Sequence, residues 1–136
     1  MGLDMYFYAN EKAEADENRI PASLNDEPEG NIDAEVGYFR KVNALFKWVE
    51  DHIGAIENCE KLPVTQAHLL ALQRDLQALT PENCHTVFPT QGGFFFGSTD
   101  YDDGYWEDVN DVKRWLDEMF DSFDFDQFSL HFLAWW

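Results

Sequence analysis

The densest group of residues able to do chemistry is a run of carboxylates in the last third of the chain. If this run is helical, side chains four and seven residues apart lie on one face, so Glu107, Asp111 and Glu118 project side by side. Carboxylates so placed repel one another and require a counter-ion, a basic partner or full solvation. The residues predicted to bind a partner are Asp100, Asp102, Asp103, Glu107, Asp108, Asp111 and Glu118.

A calcium-binding loop is the first alternative for this run. Such a loop places oxygen ligands at positions 1, 3, 5, 9 and 12 and glycine at position 6. Counted from Asp100, Gly104 falls one place early and Asp111 stands where a bidentate Glu is needed. The match is poor, so we predict no dedicated metal site and no cofactor. Weak divalent-ion binding by the cluster stays open.

A second candidate is the segment TQGGFFFGST at residues 90–99. Its glycines predict tight turns, but it lacks the Gly-Lys-Ser/Thr ending of a phosphate-binding loop. Three successive phenylalanines cannot all be buried by a strand that has only two faces. A small-molecule pocket is therefore the alternative function, with Phe94, Phe95, Phe96 and Tyr101 as its candidate residues.

Nucleophilic catalysis is not indicated. Cys84 and His85 are adjacent, so their side chains diverge, and acidic surroundings raise a thiol pKa. The histidines lack partners at metal-ligand spacing. We therefore assign no catalytic residue and no zinc, and we expect a protein that is not an enzyme. Whether Cys59 and Cys84 form a disulfide is left open by the sequence.

Net charge limits the possible partners. The 136 residues carry 27 acidic and 9 basic side chains, a formal charge of −18. Nucleic-acid affinity comes chiefly from Lys and Arg, so direct nucleic-acid binding is excluded, and anionic membranes would repel the chain. The acids lie in two blocks, nine within residues 11–35 and eleven within 100–126, around a nearly neutral middle. This distribution favours a directed negative surface and a basic protein partner.

Hydrophobic periodicity predicts an α+β fold in one domain, residues 1–136. Alternation indicates strands at 3–8 and 123–136, which we expect to pair as a small antiparallel sheet. Apolar spacing of three and four predicts about three helices packed on that sheet, at 33–57, 65–80 and 105–120. Residues 9–30 are polar, acidic and rich in breakers, which predicts a surface loop.

Three segments resemble a family of small, uncharacterised proteins of bacteriophages and prophages. They are MGLDMYFYA, EVGYFRKVNALFKWVEDHI and PTQGGFFFGSTDYDDGYWEDV, of which the second segment and the GGFFFGSTDYD run are the most specific. Phe39 departs mildly from the family pattern, where Trp is frequent, and the acidic segment after Ala9 departs more. The resemblance implies phage origin and a host-cytoplasm setting, but no activity or catalytic residues.

Together, charge and resemblance lead to one functional hypothesis. The chain is expected to be a phage-encoded acidic interaction protein that inhibits a host defence or nucleic-acid-processing complex by DNA mimicry, in the manner of an anti-CRISPR protein. Its partner would be a basic, nucleic-acid-binding protein surface. A protein or enzyme that binds a small molecule or a divalent ion at residues 90–101 is the alternative, and self-assembly ranks last because of self-repulsion.

Overall fold

The computed structural model describes residues 2–11, 34–93 and 96–136. Strands and helices alternate along this part of the chain. In order they are β1 (Asp4–Glu11), β2 (Ala34–Arg40), α1 (Asn43–His52), β3 (Leu62–Val64), α2 (Gln66–Gln77), α3 (Cys84–Val87), α4 (Asp103–Ser122) and β4 (Phe128–Trp135).

The four described strands form one antiparallel sheet in the order β2-β1-β4-β3. The first and last strands occupy its centre, and the two aromatic residues Phe7 and Phe132 stand opposite each other in the register. The predicted pairing of the N- and C-terminal strands and the α+β class are confirmed. The sheet is wider than the sequence indicated, because β2 and β3 add an edge strand on either side.

One face of the sheet supports the core. Along β1 the buried residues Met5, Phe7 and Ala9 alternate with less buried ones, as expected for a strand covered on one side. Helix α4 lies against this face, where the ring centroid of Trp115 is 4.3 Å from that of Phe7. The buried apolar side chains of the described residues form a single connected cluster.

Two of the predicted helices are found close to their expected bounds. Helix α2 begins after Thr65, whose side chain accepts a hydrogen bond from the His68 amide, while the Thr65 amide donates to His68 Nδ1. This reciprocal pair is a capping box that satisfies two amides at the start of the helix. Helix α4 includes all of the predicted 105–120 segment and extends it by one turn or less at each end.

The predicted helix at 33–57 is wrong over much of its length. Its first part is β2, and α1 covers only Asn43–His52. Val36, Tyr38 and Phe39 favour a strand as readily as a helix, and pairing with β1 decides the outcome. Lys41, with φ of 59°, then turns the chain between the two elements. Gly37 allows close packing, since a Cβ there would lie 2.6 Å from Trp115 Nε1.

Two connections, at residues 84–104 and 9–30, are also predicted to lack helices and strands. The connection at residues 84–104, expected to be irregular, contains the short helix α3. Of the loop expected at residues 9–30, residues 9–11 belong to β1, and the remainder lies outside the described residues. None of the helices described here combines the length and apolarity that a bilayer-spanning helix requires.

Candidate functional site

The carboxylates of the last third of the chain are positioned by α4. Asp102 begins the helix as its N-cap, with its side chain accepting a hydrogen bond from the Tyr105 amide at 3.2 Å. The apolar side of the helix is then buried against the sheet and α2. With that side fixed, the opposite side must face solvent, and it carries most of the acids.

Acidic residues predominate on the exposed side of α4. Arg114 is the basic residue within it and donates to Asp111 at 3.2 Å, with both side chains largely exposed. Such an exposed pair is weak and leaves the rest of the surface negative. We call this surface the acidic face; its carboxylates are Asp103, Glu107, Asp111, Asp117, Glu118 and Asp121, all exposed.

Asp108 differs from its neighbours on α4. It lies at the edge of the buried side and is only partly exposed. Burial, with repulsion from Asp111, Glu107 and Asp102, raises the pKa of Asp108 from 3.8 to about 6. A carboxylate in this position is destabilised in its charged form and gains from an added cation.

Beside Asp108 a cleft of about 260 Å³ opens between the start of α4 and the corner that joins β2 to α1. Asp100, Asp102 and Asp108 line it from the α4 side. From the other side it is lined by Arg40, Lys41 and the first residues of α1. The segments EVGYFRKVNALFKWVEDHI and PTQGGFFFGSTDYDDGYWEDV thus meet here. The lining residues are Arg40, Lys41, Val42, Asn43, Ala44, Phe88, Thr90, Gly97, Ser98, Asp100, Asp102, Gly104, Tyr105 and Asp108.

Asn43 holds the loop that borders the cleft. It is the buried polar residue of the described chain, 3% exposed. Its Nδ2 donates to the carbonyl oxygens of Phe96 and Ser98 at 3.0 and 2.9 Å, and its Oδ1 accepts from the Gln91 amide at 3.1 Å. One side chain therefore satisfies three backbone groups and ties the loop to α1.

Further hydrogen bonds brace the same loop. The Thr90 hydroxyl donates to the Thr99 carbonyl at 2.9 Å, and the Thr90 amide donates to the Tyr101 hydroxyl at 3.1 Å. The Tyr105 hydroxyl donates to the Phe88 carbonyl at 2.8 Å. Gly97 adopts φ of 90°, a conformation that favours glycine, beside the Lys41 side chain. The cleft wall is thus well anchored.

The candidate pocket residues of this loop lie in different places. Phe96 is buried in the core, with its ring 5.0 Å from that of Phe46. Tyr101 is 39% exposed and braces Thr90. Phe94 and Phe95 lie outside the described residues. The loop contributes to the cleft through Asp100, which the sequence predicted as a partner-binding residue, and through Thr90, Gly97 and Ser98, which it did not single out.

A shallower hollow of about 410 Å³ continues from the cleft along α4. Asp108 and Arg40 border both, and Asp111 and Glu118 line the hollow. Arg40 also donates to Asp4 at 2.8 Å. The hydrogen bond from Tyr38, together with that from Arg40, holds the pKa of Asp4 below its usual value. Of the predicted partner-binding residues, Asp103 and Glu107 line neither depression and face outward.

Two of the histidines have structural roles. His52 stacks on Trp48, and its Nδ1 lies 2.9 Å from the Trp48 carbonyl oxygen. His68 completes the cap of α2. Both thiols are free, with Cys59 exposed and Cys84 buried. Among the described residues, no three His, Cys, Asp or Glu side chains are placed to hold a metal ion.

Comparison of the chain with protein-family models, curated proteins and solved structures yields no match. The function must therefore be argued from charge and geometry.

Proposed function

We propose that the protein is an acidic interaction protein that docks the acidic face of α4 on a basic, nucleic-acid-binding surface of a host complex and inhibits that complex by DNA mimicry. The observation that carries the proposal is the set of six exposed carboxylates on one side of a 20-residue helix, with Arg114 as the exposed basic residue among them.

The alignment of these charges supports mimicry. From Asp103 to Asp121 the helix rises about 27 Å, so the six carboxylates of the acidic face are on average about 5.4 Å apart along the axis. One strand of B-DNA presents a phosphate charge roughly every 3.4 Å along its axis. A protein surface that binds such a strand with Lys and Arg side chains would also meet a row of negative charge on α4, at a wider average spacing.

The position of the acids also supports a role in binding. Glu107 and Asp111 are four residues apart, as are Asp117 and Asp121, and like charges at this spacing destabilise a helix. Glu118 and Asp121 lie near the helix C-terminus, where negative charge is unfavourable. The last turn of α4 contains no basic residue. Selection for stability alone would not favour these residues, whereas selection for a basic partner would.

The resemblance of three chain segments to small phage proteins supports a host complex as the target and the host cytoplasm as the setting. A strongly negative protein associates quickly with a basic partner, and the association weakens steeply with salt. Inhibition by occupation of a nucleic-acid channel needs no catalytic residue.

The test is capture of host proteins on the immobilised chain at low salt, followed by elution with increasing salt or with a DNA duplex. The key variant is E107Q/D111N/E118Q/D121N. Its control, E50Q/E57Q/E60Q/E82Q, removes four exposed acids elsewhere and has the same net charge.

We expect the captured complex to be displaced by the duplex and to bind the α4 variant roughly tenfold to a hundredfold more weakly, because each exposed ion pair contributes about 0.2–1 kcal/mol. The control should bind nearly as the original chain does. The proposal would be ruled out if the two variants bound the captured complex equally well. It would also be ruled out if the complex stayed on the immobilised chain in the presence of excess duplex.

A further inference from the structure

The cleft beside Asp108 has an uneven charge distribution. Asp100, Asp102 and Asp108 line it, and Arg40 and Lys41 lie across from them. The charge of Arg40 is already balanced, because its Nη1 lies 2.8 Å from Asp4 Oδ1. Three carboxylates therefore face the single remaining positive charge of Lys41, so the lining retains a negative excess.

The floor of the cleft is aromatic. Tyr105 and Phe88 line it, and both are almost fully buried, at 5% and 0% exposed. Their rings are therefore closed to a ligand, and the choice of cation depends on the carboxylates. A guanidinium group presents a planar fork of N–H donors that matches a carboxylate in a bidentate way, whereas an ammonium group is a compact, strongly hydrated point charge. This chemistry favours a guanidinium group over an ammonium group.

The size of the cleft limits the ligand. A volume of about 260 Å³ is below the range of roughly 300–1,000 Å³ that holds drug-sized molecules. It admits one long side chain. The wall is fixed by the three hydrogen bonds of Asn43, so the cleft is largely formed before a ligand enters, which lowers the entropic cost of binding.

We propose that this cleft receives the guanidinium group of one arginine side chain of the basic partner, with Asp102 and Asp108 as its counter-charges. This inference rests on the proposed function and assigns the partner an anchor residue, since arginine side chains seated in pockets are frequent hot spots of binding. Asp102 uses Oδ1 to cap α4, and its second carboxylate oxygen remains available. Burial, followed by repulsion from neighbouring carboxylates, raises the pKa of Asp108, so a cation in the cleft would stabilise its charged form.

The probe is N-acetyl-arginine amide, compared with the neutral isostere N-acetyl-citrulline amide and with N-acetyl-lysine amide, each titrated to tens of millimolar at constant ionic strength. Binding is followed by amide chemical shifts, and shifts are expected at Ser98, Asp100 and Gly104. We expect the arginine probe to bind at least tenfold more tightly than the citrulline probe and more tightly than the lysine probe. D108N should weaken it tenfold or more.

D117N is the matched control, because it makes the same change on the exposed side of α4. It should leave binding of the arginine probe within twofold. Equal affinity for the arginine and citrulline probes, equal affinity for the lysine probe, equal effects of D108N and D117N, or no shifts at all would each overturn the assignment.

The two proposals can fail separately. If the arginine probe does not bind but the four-residue α4 variant still loses the captured partner, the cleft assignment fails and the acidic face remains. If the probe binds at the cleft and the α4 variant captures as much as its control, the proposed function fails.

Discussion

Asn43 shows how one side chain determines the shape of the cleft. Its side-chain amide forms the hydrogen bonds that water would otherwise form with the carbonyls of Phe96 and Ser98 and the backbone amide of Gln91. The hydrogen bonds are buried or partly buried, so an unpaired group there would carry the full cost of its desolvation. Only a side chain with both donors and an acceptor can fix the loop in this way.

We therefore expect N43A to lower the free energy of unfolding by about 2–4 kcal/mol, since it leaves three backbone groups without partners. Urea denaturation measures the change, and hydrogen exchange at Gln91 and Ser98 should show loss of protection. N110A, at an exposed position of α4, should change stability by less than about 0.5 kcal/mol. Equal effects of the two substitutions would contradict the role given to Asn43.

Asp108 makes stability depend on pH in a predictable direction. Its folded-state pKa of about 6 lies above the ordinary 3.8, so the folded protein holds this proton more tightly than the unfolded chain does. The stabilising contribution is complete below about pH 4 and is lost as the pH rises through 6.

D108N removes this titration. The unfolding free energy of D108N minus that of the original chain should increase by about 1–2 kcal/mol as the pH rises from 4 to 7.5, because only the original chain loses the contribution of Asp108. The increase is smaller than the pKa shift alone would give at about 1.4 kcal/mol per pKa unit, because the cleft is open to solvent. Urea denaturation at the two pH values measures it. A difference for D108N that does not change with pH would refute the assignment.

For individual residues, the sequence predicted which carboxylates lie on or next to α4, but not how their environments differ. All seven predicted partner-binding residues lie at the start of α4 or along it, yet Asp108 turns toward the cleft while Glu107 faces solvent. Helical spacing indicates which residues share a side. The roles of Asn43, Lys41 and Thr90 depend on a contact between distant segments, and a single sequence contains no signal for such a contact.

Among the elements, α4 combines a strong apolar side with an unfavourable charge pattern. The apolar side holds the helix in the core through residues such as Val109, Val112 and Leu116, each 0% exposed. Because this burial provides most of the stability of the helix, the opposite side can hold acids at positions where they repel each other.

Replacement of acids near the helix C-terminus should consequently stabilise the protein. E118K/D121K places positive charge at the negative end of the helix dipole, which should raise the unfolding free energy by about 0.5–1 kcal/mol at low ionic strength. The gain should shrink in 0.5 M salt. E57K/E60K, a control outside the helices with the same net charge, should gain less. If the two variants are equally stable, the effect belongs to the overall charge and not to α4.

The incorrect prediction of a helix over the residues of β2 has a physical origin in the pattern of that segment. Residues 34–40 include aromatic and β-branched side chains, and their apolar positions continue the helical spacing of α1. A periodicity argument therefore extends the helix through them. Gly37 was a local indication against it, since glycine weakens a helix interior. The strand is selected by pairing with β1 and by the close approach of Trp115, both of which are tertiary interactions.

For the molecule as a whole, stability depends on the two central strands. Phe132 of β4 is 0% exposed and packs with its ring 5.3 Å from that of Phe7 on β1. Each strand of this pair also holds an edge strand, so damage at this contact affects the entire sheet.

We expect F132A to cost about 3–5 kcal/mol of unfolding free energy, the usual effect of removing a buried aromatic ring. W135A, on the same strand but at a residue 54% exposed, should cost less than about 1 kcal/mol. Thermal or urea denaturation distinguishes them. Comparable losses would mean that the centre of the sheet is not where the core is most tightly packed.

The strand order β2-β1-β4-β3 has a consequence for synthesis. Strand β4 pairs with β1 and β3, yet it is the last of the described strands to leave the ribosome. Until it emerges, β1 and β2 form at most a two-stranded hairpin, which is marginally stable by itself, and β3 has no neighbour. The nascent chain therefore lacks the complete sheet until β4 emerges.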